Sequence, residues 1–340
     1  MKLLDQIKER LVKEKVSVGI DIGSSAVKIV KLRMVKEVVE LCGIQIEPMQ
    51  LDLEALLKNM AKSQEAVRVN VSFSGPSTII RYAQFMKMNE GELKQALKFE
   101  AQKHIPFSVS EVNVDGYILK PDLPDNKMLV LLAAVKKEYL NQRLKILESA
   151  GLRVQGIDLD SIALINAFNF NYTEKNHSPD KAAALLNIGA AQSNLSIIED
   201  GIPRLSRDIP IAGNSFTQKI REGLGLELKA AEQLKSSHDP AKSAQVMAVL
   251  EPVIANLAAE VRISFDYFES QSASSVEKIY LSGGGSLFQG AKEMLHTLVG
   301  IEVEYWDPLK KVILSSNIDA DTVSVVKSQL AVVIGLALRG

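Results

Sequence analysis

Regular alternation of apolar and polar residues begins at position 16 of the chain. It runs through "VSVGIDIG" (16–23) and returns in "AVKIVKL" (26–32) and "EVVELCGIQIE" (37–47). Alternation with a period of two is typical of strands, and the glycine and charged breaks between these runs are those that hairpins use. The pattern therefore predicts three strands joined by short turns.

Apolar residues at helical spacing alternate with further strand-like runs over the next hundred residues. The two patterns predict helices over 52–64, 89–105 and 136–151, and strands over 68–75 and 127–135. Pro106 and Gly151 supply two of the helix ends, because proline cannot continue a helix and glycine readily adopts the C-cap conformation.

The second half of the chain repeats this alternation after a polar, turn-rich segment. That segment, "NFNYTEKNHSPDK" (169–181), is the best candidate linker in the sequence. The residues beyond it predict a strand–turn–strand over 182–201, helices over 211–235 and 241–272, a strand over 278–284, a helix over 290–300 and a last apolar helix over 329–340. Strands and helices that alternate throughout predict an α/β protein.

The first fifteen residues, "MKLLDQIKERLVKEK", form a separate amphipathic pattern. Leu3, Leu4, Ile7 and Leu11 recur at helical spacing. Such a helix could bind a membrane surface or a partner, or it could be a short helix docked on its own domain. We favour the docked helix.

Composition narrows the class of protein. The 340 residues suggest about two domains, and a net charge of −1 gives no global attraction for nucleic acid or an anionic membrane. Basic residues are mixed with acids and lack interleaved aromatic residues, which excludes a nucleic-acid-binding pattern. A single cysteine, Cys42, excludes an internal disulfide. Without an apolar run of membrane-spanning length or a signal-peptide core, we expect a soluble cytoplasmic protein.

A short repeat links the two halves of the chain. Ile20–Ser25 reads Ile-Asp-Ile-Gly-Ser-Ser, and Leu186–Ala191 reads Leu-Asn-Ile-Gly-Ala-Ala. Each segment ends an apolar strand and leads through small residues into another strand. A match near the start of each half predicts duplicated domains that face each other.

Two facing hairpin tips of small residues suit the phosphates of a nucleotide. Backbone N–H groups at such turns can approach phosphate oxygens closely. Asp21, at the end of a buried strand, then suggests Mg²⁺, which takes oxygen ligands alongside phosphates and water. Lys28 is a weaker candidate for neutralising phosphate, because it is equally consistent with a residue that only decorates a strand.

Two further segments carry candidate binding chemistry. "LSGGGSLFQG" (281–290) follows a strand and precedes a helix but lacks the spacing of a Walker A loop or a dinucleotide fingerprint. Glu232 and Lys235 share one helical face, which suits a surface ion pair or contacts to a ribose and a base. The four histidines are scattered and have no metal-ligand spacing.

Taken together, these segments resemble the actin-like ATPase superfamily. Five stretches match its motifs in order: the first phosphate loop, the first connecting segment, the second phosphate loop, the adenosine motif and the second connecting segment. They are "VGIDIGSSAVKIVKL" (18–32), "GIDLDSIALINAF" (156–168), "LLNIGAAQSNLSIIEDG" (185–201), "YLSGGGSLFQG" (280–290) and "SQLAVVIGLALRG" (328–340). The segments 93–119 and 207–235, with the terminal "GLALR", are similar to the PilM family of type IV pilus assembly proteins, in the FtsA-related branch.

The resemblance implies duplicated actin-like (ribonuclease H-like) α/β domains around a nucleotide cleft, with an inserted small α/β subdomain. The first lobe would span 16–180, with the insertion at about 67–155 and a C-terminal helix, 323–340, returning to it. The second lobe would span 181–322.

The resemblance also implies roles for individual residues around ATP and Mg²⁺. Asp21 would organise the metal, directly or through water. The phosphates would be held by Gly23, Ser24, Ser25, Gly189 and Ala190, and Gly213 and Asn214 would lie near them. Lys28 and Asn187 are further candidates for cofactor binding. The ribose and base would be contacted by Glu232 and Lys235, and the α-phosphate and adenosine by Gly283, Gly284, Gly285, Leu287 and Phe288.

One departure from the superfamily bears on turnover. Many of its ATPases have an acid in the second phosphate loop where this chain has Asn187, which is neutral and cannot act as a base. The acid that aligns the attacking water in relatives is best matched by Asp160, with Asp158 as the alternative. We therefore expect tight ATP binding with slow or absent hydrolysis.

The implied function is a cytoplasmic, nucleotide-binding scaffold at the inner-membrane platform of the pilus machine. Its expected partners are the N-terminal cytoplasmic tail of PilN, in a groove on the first lobe, and other platform proteins. The sequence leaves the oligomeric state open. The alternatives are an FtsA-like filament-forming ATPase, a cytoplasmic component of a type II secretion system, and a small-molecule kinase of the same fold.

Overall fold

The computed structural model describes residues 14–172, 181–237 and 239–339. Its strands, numbered in chain order, are β1 (Lys15–Ile22), β2 (Ala26–Val35), β3 (Val38–Pro48), β4 (Arg68–Phe73), β5 (Thr78–Met86), β6 (Val112–Leu123), β7 (Lys127–Lys136), β8 (Arg153–Leu159), β9 (Lys181–Ile188), β10 (Ser193–Glu199), β11 (Ile202–Ile209), β12 (Ser275–Ser282), β13 (Glu302–Tyr305) and β14 (Val312–Leu314).

The helices of the described residues are distributed over the whole chain. They are α1 (Leu53–Ser63), α2 (Glu90–Glu100), α3 (Lys137–Ser149), α4 (Asp160–Tyr172), α5 (Gly213–Leu224), α6 (Leu228–Lys235), α7 (Pro240–Gln271), α8 (Ala291–Val299), α9 (Ala320–Val326) and α10 (Ala331–Leu338).

Two of the three sheets have the same strand order. The first is β14-β3-β2-β1-β4-β8 and the second is β11-β10-β9-β12-β13, so β14 is the only addition to a shared five-strand pattern within the described residues. In both sheets the leading strand pairs antiparallel with the next strand and parallel with the fourth. The duplication predicted from the hairpin repeat is confirmed.

Each duplicated sheet forms a lobe with its own helices. We call the first sheet with α1, α3, α4 and α10 the first lobe, and the second sheet with α5, α6, α7 and α8 the second lobe. A core also crosses between them, because α4 and α10 pack with buried residues of β9, β10 and β12. The lobes therefore share apolar contacts on one side of the space between their hairpins.

The third sheet, β5-β7-β6, forms a small subdomain with α2. It is inserted between β4 and α3 of the first lobe and has its own core around Leu93, Leu97 and Met128. The helix α2 begins at a capping box in which Asn89 and Glu92 exchange hydrogen bonds. Within the predicted bounds of 67–155, β4 and α3 pack with the first sheet, as does β8, which begins there. The domain boundaries themselves stay a prediction.

Helix α10 is held at van der Waals distance from two other elements of the first lobe. A Cβ on Gly335 would overlap the carbonyl of Ala163 in α4, and a Cβ on Gly19 of β1 would lie 2.8 Å from the backbone nitrogen of Ala337. Only glycine permits backbones to approach this closely. The contacts fix β1 and α4 relative to each other through α10.

The structure differs from the sequence-based elements in several places. The helix predicted over 211–235 is two helices, because Gly225 adopts a left-handed conformation with φ of 64° and ends α5. In the predicted linker, residues 169–172 belong to α4, while residues 173–180 lie outside the described residues. The strands β5, β6, β8, β11, β13 and β14 were not predicted.

Two other expectations concern the ends of the chain. The amphipathic helix expected over 1–15 falls largely on residues 1–13, which lie outside the described residues; Lys15 begins β1. Within the described residues, a single helix that could span a membrane is absent. Residues 320–329 and α10 reach the required length and apolar character only together, and they are bent by 95°.

Candidate functional site

The tips of the two repeated hairpins meet across the space between the lobes. Both turns close in the same way, with the N–H of Gly23 donating to Ala26 O and the N–H of Gly189 donating to Gln192 O, each at 3.1 Å. The N–H of Ala191 donates to Ser24 Oγ at 3.2 Å. The predicted phosphate turns are therefore within hydrogen-bond distance of each other.

Asp21 lies at the end of β1 and is 6% exposed. Its cross-strand neighbour in β2 is Lys28, whose Nζ donates to Asp21 Oδ2 at 2.7 Å. The pair explains how a carboxylate is tolerated beside a buried strand, since its charge is compensated. Lys28 therefore lies beside the predicted metal-binding carboxylate.

Asp160 begins α4, directly after β8, and is half-buried at the same end of the first sheet. Burial, together with the neighbouring carboxylates of Asp21 and Asp208, raises its pKa to about 6. Asp158, the alternative, lies on the opposite side of this junction, where Arg339 Nη1 is 3.0 Å from its Oδ2. Burial also raises the Asp158 pKa, but only Asp160 is near the hairpin tips.

Asp208 at the end of β11 was missed by the sequence analysis. It completes a row across three strands in which Asn187 donates to Asn194 at 3.4 Å and Asn194 donates to Asp208. Its Oδ2 also accepts from the N–H of Gly75 in the first lobe at 3.4 Å. Burial raises its pKa. The second lobe thus brings a carboxylate to the cleft from β11, although its hairpin carries Asn187.

The predicted phosphate-contacting backbone of the second lobe is tightly packed. The N–H of Gly213 donates to Gly189 O at 3.0 Å, and the N–H of Asn214 donates to Ala190 O at 2.8 Å. A Cβ on Gly285 would overlap Gly189 O. The second phosphate turn, the start of α5 and the glycine-rich turn therefore form one surface of small residues.

Glu232 and Lys235 form a connected polar group with the start of α5. Lys235 Nζ donates to Glu232 Oε2 at 2.8 Å, to Thr217 Oγ1 at 2.9 Å and to Gly213 O at 3.3 Å. Burial opposes ionisation of Glu232, but hydrogen bonds from Lys235 and Thr217 outweigh it and lower its pKa. The pair therefore connects the residues predicted to contact the ribose with those predicted to lie near the phosphates.

Of the two apolar side chains that follow the glycine-rich turn, one is accessible and the other is buried. Gly283 has φ of 90° and precedes a short 3₁₀ turn, Gly284–Ser286. Leu287 is 36% exposed, whereas Phe288 is buried and packs edge-on against Phe216, with ring centroids 5.6 Å apart. Phe288 thus supports the turn from the core, and Leu287 is the accessible apolar residue. The predicted ligand contacts of all these residues stay a prediction.

No cluster of three or more histidine, cysteine, aspartate or glutamate side chains that could hold a metal ion by itself occurs in the described part of the chain. Asp21 is a buried oxygen donor beside the phosphate turns, which fits Mg²⁺ only where phosphate and water supply most of the ligands.

A concavity of about 750 Å³ lies between the inserted subdomain and the first lobe. Its walls come from β6 and β7 of the insertion, from β8 and α4 of the first lobe, and from the β10–β11 turn of the second lobe. We call it the insert groove. Tyr117, Leu131, Ile162 and Pro203 make its lining largely apolar, and Arg339 lies at one side.

Comparison with known proteins identifies the family that has this architecture. The family model for type IV pilus assembly protein PilM matches residues 19–340. The chain belongs to the PilM family. This membership favours the pilus assignment over the FtsA-like and type II secretion alternatives.

Solved structures agree with this membership. A "PilM-PilN type IV pilus biogenesis complex" matches with 27% identity and a TM-score of 0.84, over 95% of this chain and 98% of that chain. The ethanolamine utilization protein EutJ from Carboxydothermus hydrogenoformans (14%, TM-score 0.58, 96% and 91%) shares the fold, as does MreB5 of Spiroplasma citri bound to ADP (13%, TM-score 0.50, 94% of each chain). The predicted duplicated actin-like fold is confirmed.

The raised pKa of Asp160 predicts how replacing this carboxylate changes the free energy of unfolding. Between about pH 4 and pH 6 the folded state retains a proton that the unfolded state has lost, so stability falls as pH rises through this window. We expect Asp160→Asn to stabilise the protein at about pH 7.5, on the order of 1–3 kcal/mol, and to have little effect near pH 4.

Thermal unfolding midpoints at the two pH values would measure this difference. Asp266→Asn, on the exposed surface of α7, is the matched control and should shift neither midpoint. Equal midpoints for Asp160→Asn and the unsubstituted protein at both pH values would contradict a raised pKa of Asp160 in the folded state.

Proposed function

We propose that the protein is an ATP-binding scaffold of the type IV pilus assembly platform that docks the cytoplasmic tail of PilN. The observation that carries the nucleotide part is the meeting of the two hairpin tips, with the Ala191 N–H on Ser24 Oγ and Asp21 directly behind. Facing turns of small residues can surround phosphate oxygens with backbone N–H groups. The MreB5 structure, which holds ADP in the same fold, supports this interpretation.

Mg²⁺ would be held beside Asp21. The ion would supply positive charge that stabilises the phosphates. Lys28 pairs with the same carboxylate and is a second positive charge beside the predicted phosphate turns. Glu232 and Lys235 would orient the ribose and base, since Glu232 retains exposed surface while Lys235 is anchored to Gly213 and Thr217.

Substitution of Asp21 tests the contribution of the metal to ATP binding separately from the other contacts of the nucleotide. Asp21→Asn should weaken ATP binding about tenfold in Mg²⁺ but hardly change it in EDTA, because a neutral amide attracts no cation. Glu232→Gln should weaken binding in both buffers. Titration calorimetry with ATP would measure the affinity of the unsubstituted protein and of both variants in both buffers. An unaltered Mg²⁺ dependence in Asp21→Asn would exclude this metal position.

We expect slow ATP hydrolysis because few acidic side chains of the cleft are available to act on the attacking water. Asn187 cannot accept a proton, and Asp208 is occupied by hydrogen bonds from Asn194 and Gly75. Asp160 remains as the residue able to align an attacking water. We expect phosphate release below roughly one per minute, far under ordinary enzyme turnover. Faster release by purified protein, abolished in Asp160→Asn, would overturn this expectation.

The partner site is proposed from the similar complex and from the insert groove. The matching structure contains PilM with PilN. In this chain the insert groove offers an apolar surface large enough for a peptide segment, between the first lobe and the inserted subdomain. Binding the N-terminal tail of PilN there would place the protein at the cytoplasmic face of the inner membrane, together with other platform components.

The groove also touches both lobes, which allows nucleotide and partner to influence each other. The β10–β11 turn of the second lobe forms part of its wall, and Asn169 of α4 donates to Gly201 O of that turn at 2.8 Å. A nucleotide that changes the separation of the lobes would change this wall. The coupling is limited to the difference in peptide affinity between the two arrangements.

An exposed aromatic residue in the insert groove should carry part of the partner affinity. Tyr117 is 66% exposed and lines the groove, so Tyr117→Ala should weaken binding of the PilN tail about tenfold. Tyr267 is 62% exposed on α7, outside the groove, and Tyr267→Ala is the matched control. Fluorescence anisotropy with a labelled tail peptide would compare them. Equal affinities for both variants would argue against this groove.

A further inference from the structure

A cavity of about 530 Å³ lies where the inserted subdomain meets both the first and the second lobe. We call it the junction cavity. It is distinct from the insert groove, because Leu159 is the single residue that lines both. Its volume falls in the range of about 300–1,000 Å³ that is typical of small-molecule sites.

Direct contacts between the inserted subdomain and the second lobe hold the walls of the junction cavity. Both β5 and β11 are end strands of their sheets. The hydroxyls of Tyr82 in β5 and Ser206 in β11 are 2.8 Å apart, and the N–H of Gly75 donates to Asp208. The cavity is therefore formed before a ligand enters, which lowers the entropic cost of binding.

The lining of the junction cavity is apolar on one side and acidic on the other. Phe73 of the first lobe and Ile79, Pro106 and Phe107 of the inserted subdomain supply apolar surface. Asp160 from the first lobe and Asp208 from the second lobe supply two carboxylates. A bare metal ion would leave the apolar surface unfilled, whereas a ligand with an apolar body would cover it.

The two carboxylates lack a positive partner in the described part of the chain. Asp208 accepts hydrogen bonds from Asn194, Gln192 and the N–H of Gly75, which are all neutral donors. Burial is the main cause of the raised pKa of Asp160, and the charges of neighbouring carboxylates, including Asp208, add to it. A cation between Asp160 and Asp208 would relieve this repulsion.

The basic side chains around these carboxylates are engaged elsewhere. Lys28 pairs with Asp21, Arg207 pairs with a glutamate of α7, Arg81 donates to a backbone carbonyl of β5, and Arg143 lies over an aromatic ring of its own helix. Asp160 is half-buried and Asp208 is exposed, so both can be reached from the cavity. The positive charge therefore has to come from a ligand.

We infer that the junction cavity binds a small organic cation, with its amidinium, guanidinium or ammonium group between Asp160 and Asp208 and its apolar body toward Phe107. Hydrogen bonds between such a group and carboxylates are charge-assisted and therefore strong. The inference goes beyond the proposed function, because the site requires neither ATP nor the tail of PilN. A ligand bound there would contact both lobes and the inserted subdomain at once.

Binding of p-aminobenzamidine to the full-length protein tests the charge of the ligand. Its neutral isostere p-aminobenzamide has the same apolar ring but no positive charge. Titration calorimetry at about pH 7.5, without nucleotide, should show saturable binding of the amidine and at least about tenfold weaker binding of the amide. Equal affinities, or no saturable binding of the amidine up to about 10 mM, would overturn the inference.

Substitution of the two carboxylates tests the position of the cation. Asp160→Asn and Asp208→Asn should each weaken amidine binding about tenfold or more, while Asp266→Asn on the exposed surface of α7 should not change it. Asp160→Asn is expected to stabilise the fold, so its loss of affinity would not reflect unfolding. Loss in Glu232→Gln instead of Asp208→Asn would place the cation on the predicted ribose side and overturn the assignment. Failure of ATP or tail binding would leave these results unchanged.

Discussion

The contact of α10 with both β1 and α4 is the constraint on which the two candidate sites depend. Gly335 allows α10 to touch the backbone of α4 at Ala163, and Gly19 allows it to touch β1. The strand β1 carries Asp21 toward its end, and α4 begins with Asp160. Gly19 and Asp21 are two residues apart and therefore lie on the same face of β1. The backbone contacts of α10 on that face help to set the spacing of the two carboxylates.

The same helix also reaches the insert groove. Arg339 follows α10 directly, and its guanidinium holds Asp158 and the carbonyl of Ile157. Asp158 and Asp160 are only two residues apart, yet one is paired beside the groove and the other is half-buried beside the cleft. A displacement of α10 would consequently alter both candidate sites together.

Much of this arrangement could be predicted from the sequence because it depends on local patterns. The alternation around Asp21, the matching turn at Asn187 and the glycine-rich turn at Gly283–Gly285 are each visible within a few residues. Asp208 could not be found in this way. It enters the cleft through strand register, since Asn187, Asn194 and Asp208 are neighbours only after three strands have paired. The signal that could have identified Asp208 is a comparison of β3 and β11, the third strands of the two repeats.

Other differences arise where one residue overrides a regular pattern, or where tertiary packing decides exposure. Apolar spacing over 211–235 fits one helix, but Gly225 ends α5 and redirects the chain. Phe288 is adjacent to the glycine turn in sequence, and burial against Phe216 in the second-lobe core decides its role. The edge strands β6 and β8 were missed because their exposed faces and the bulge after Ile118 weaken the alternation.

The chain order of these elements has a consequence for how the protein is made. The first lobe is discontinuous: β14 and α10 come after every strand and helix of the second lobe. During synthesis the second lobe can complete its sheet as a continuous segment, whereas the first lobe must keep the surface that α10 covers open until those last residues emerge. Gly19 and Ala163 border that surface. The β1 and α4 backbones around these two residues therefore lack their α10 contact until late in synthesis.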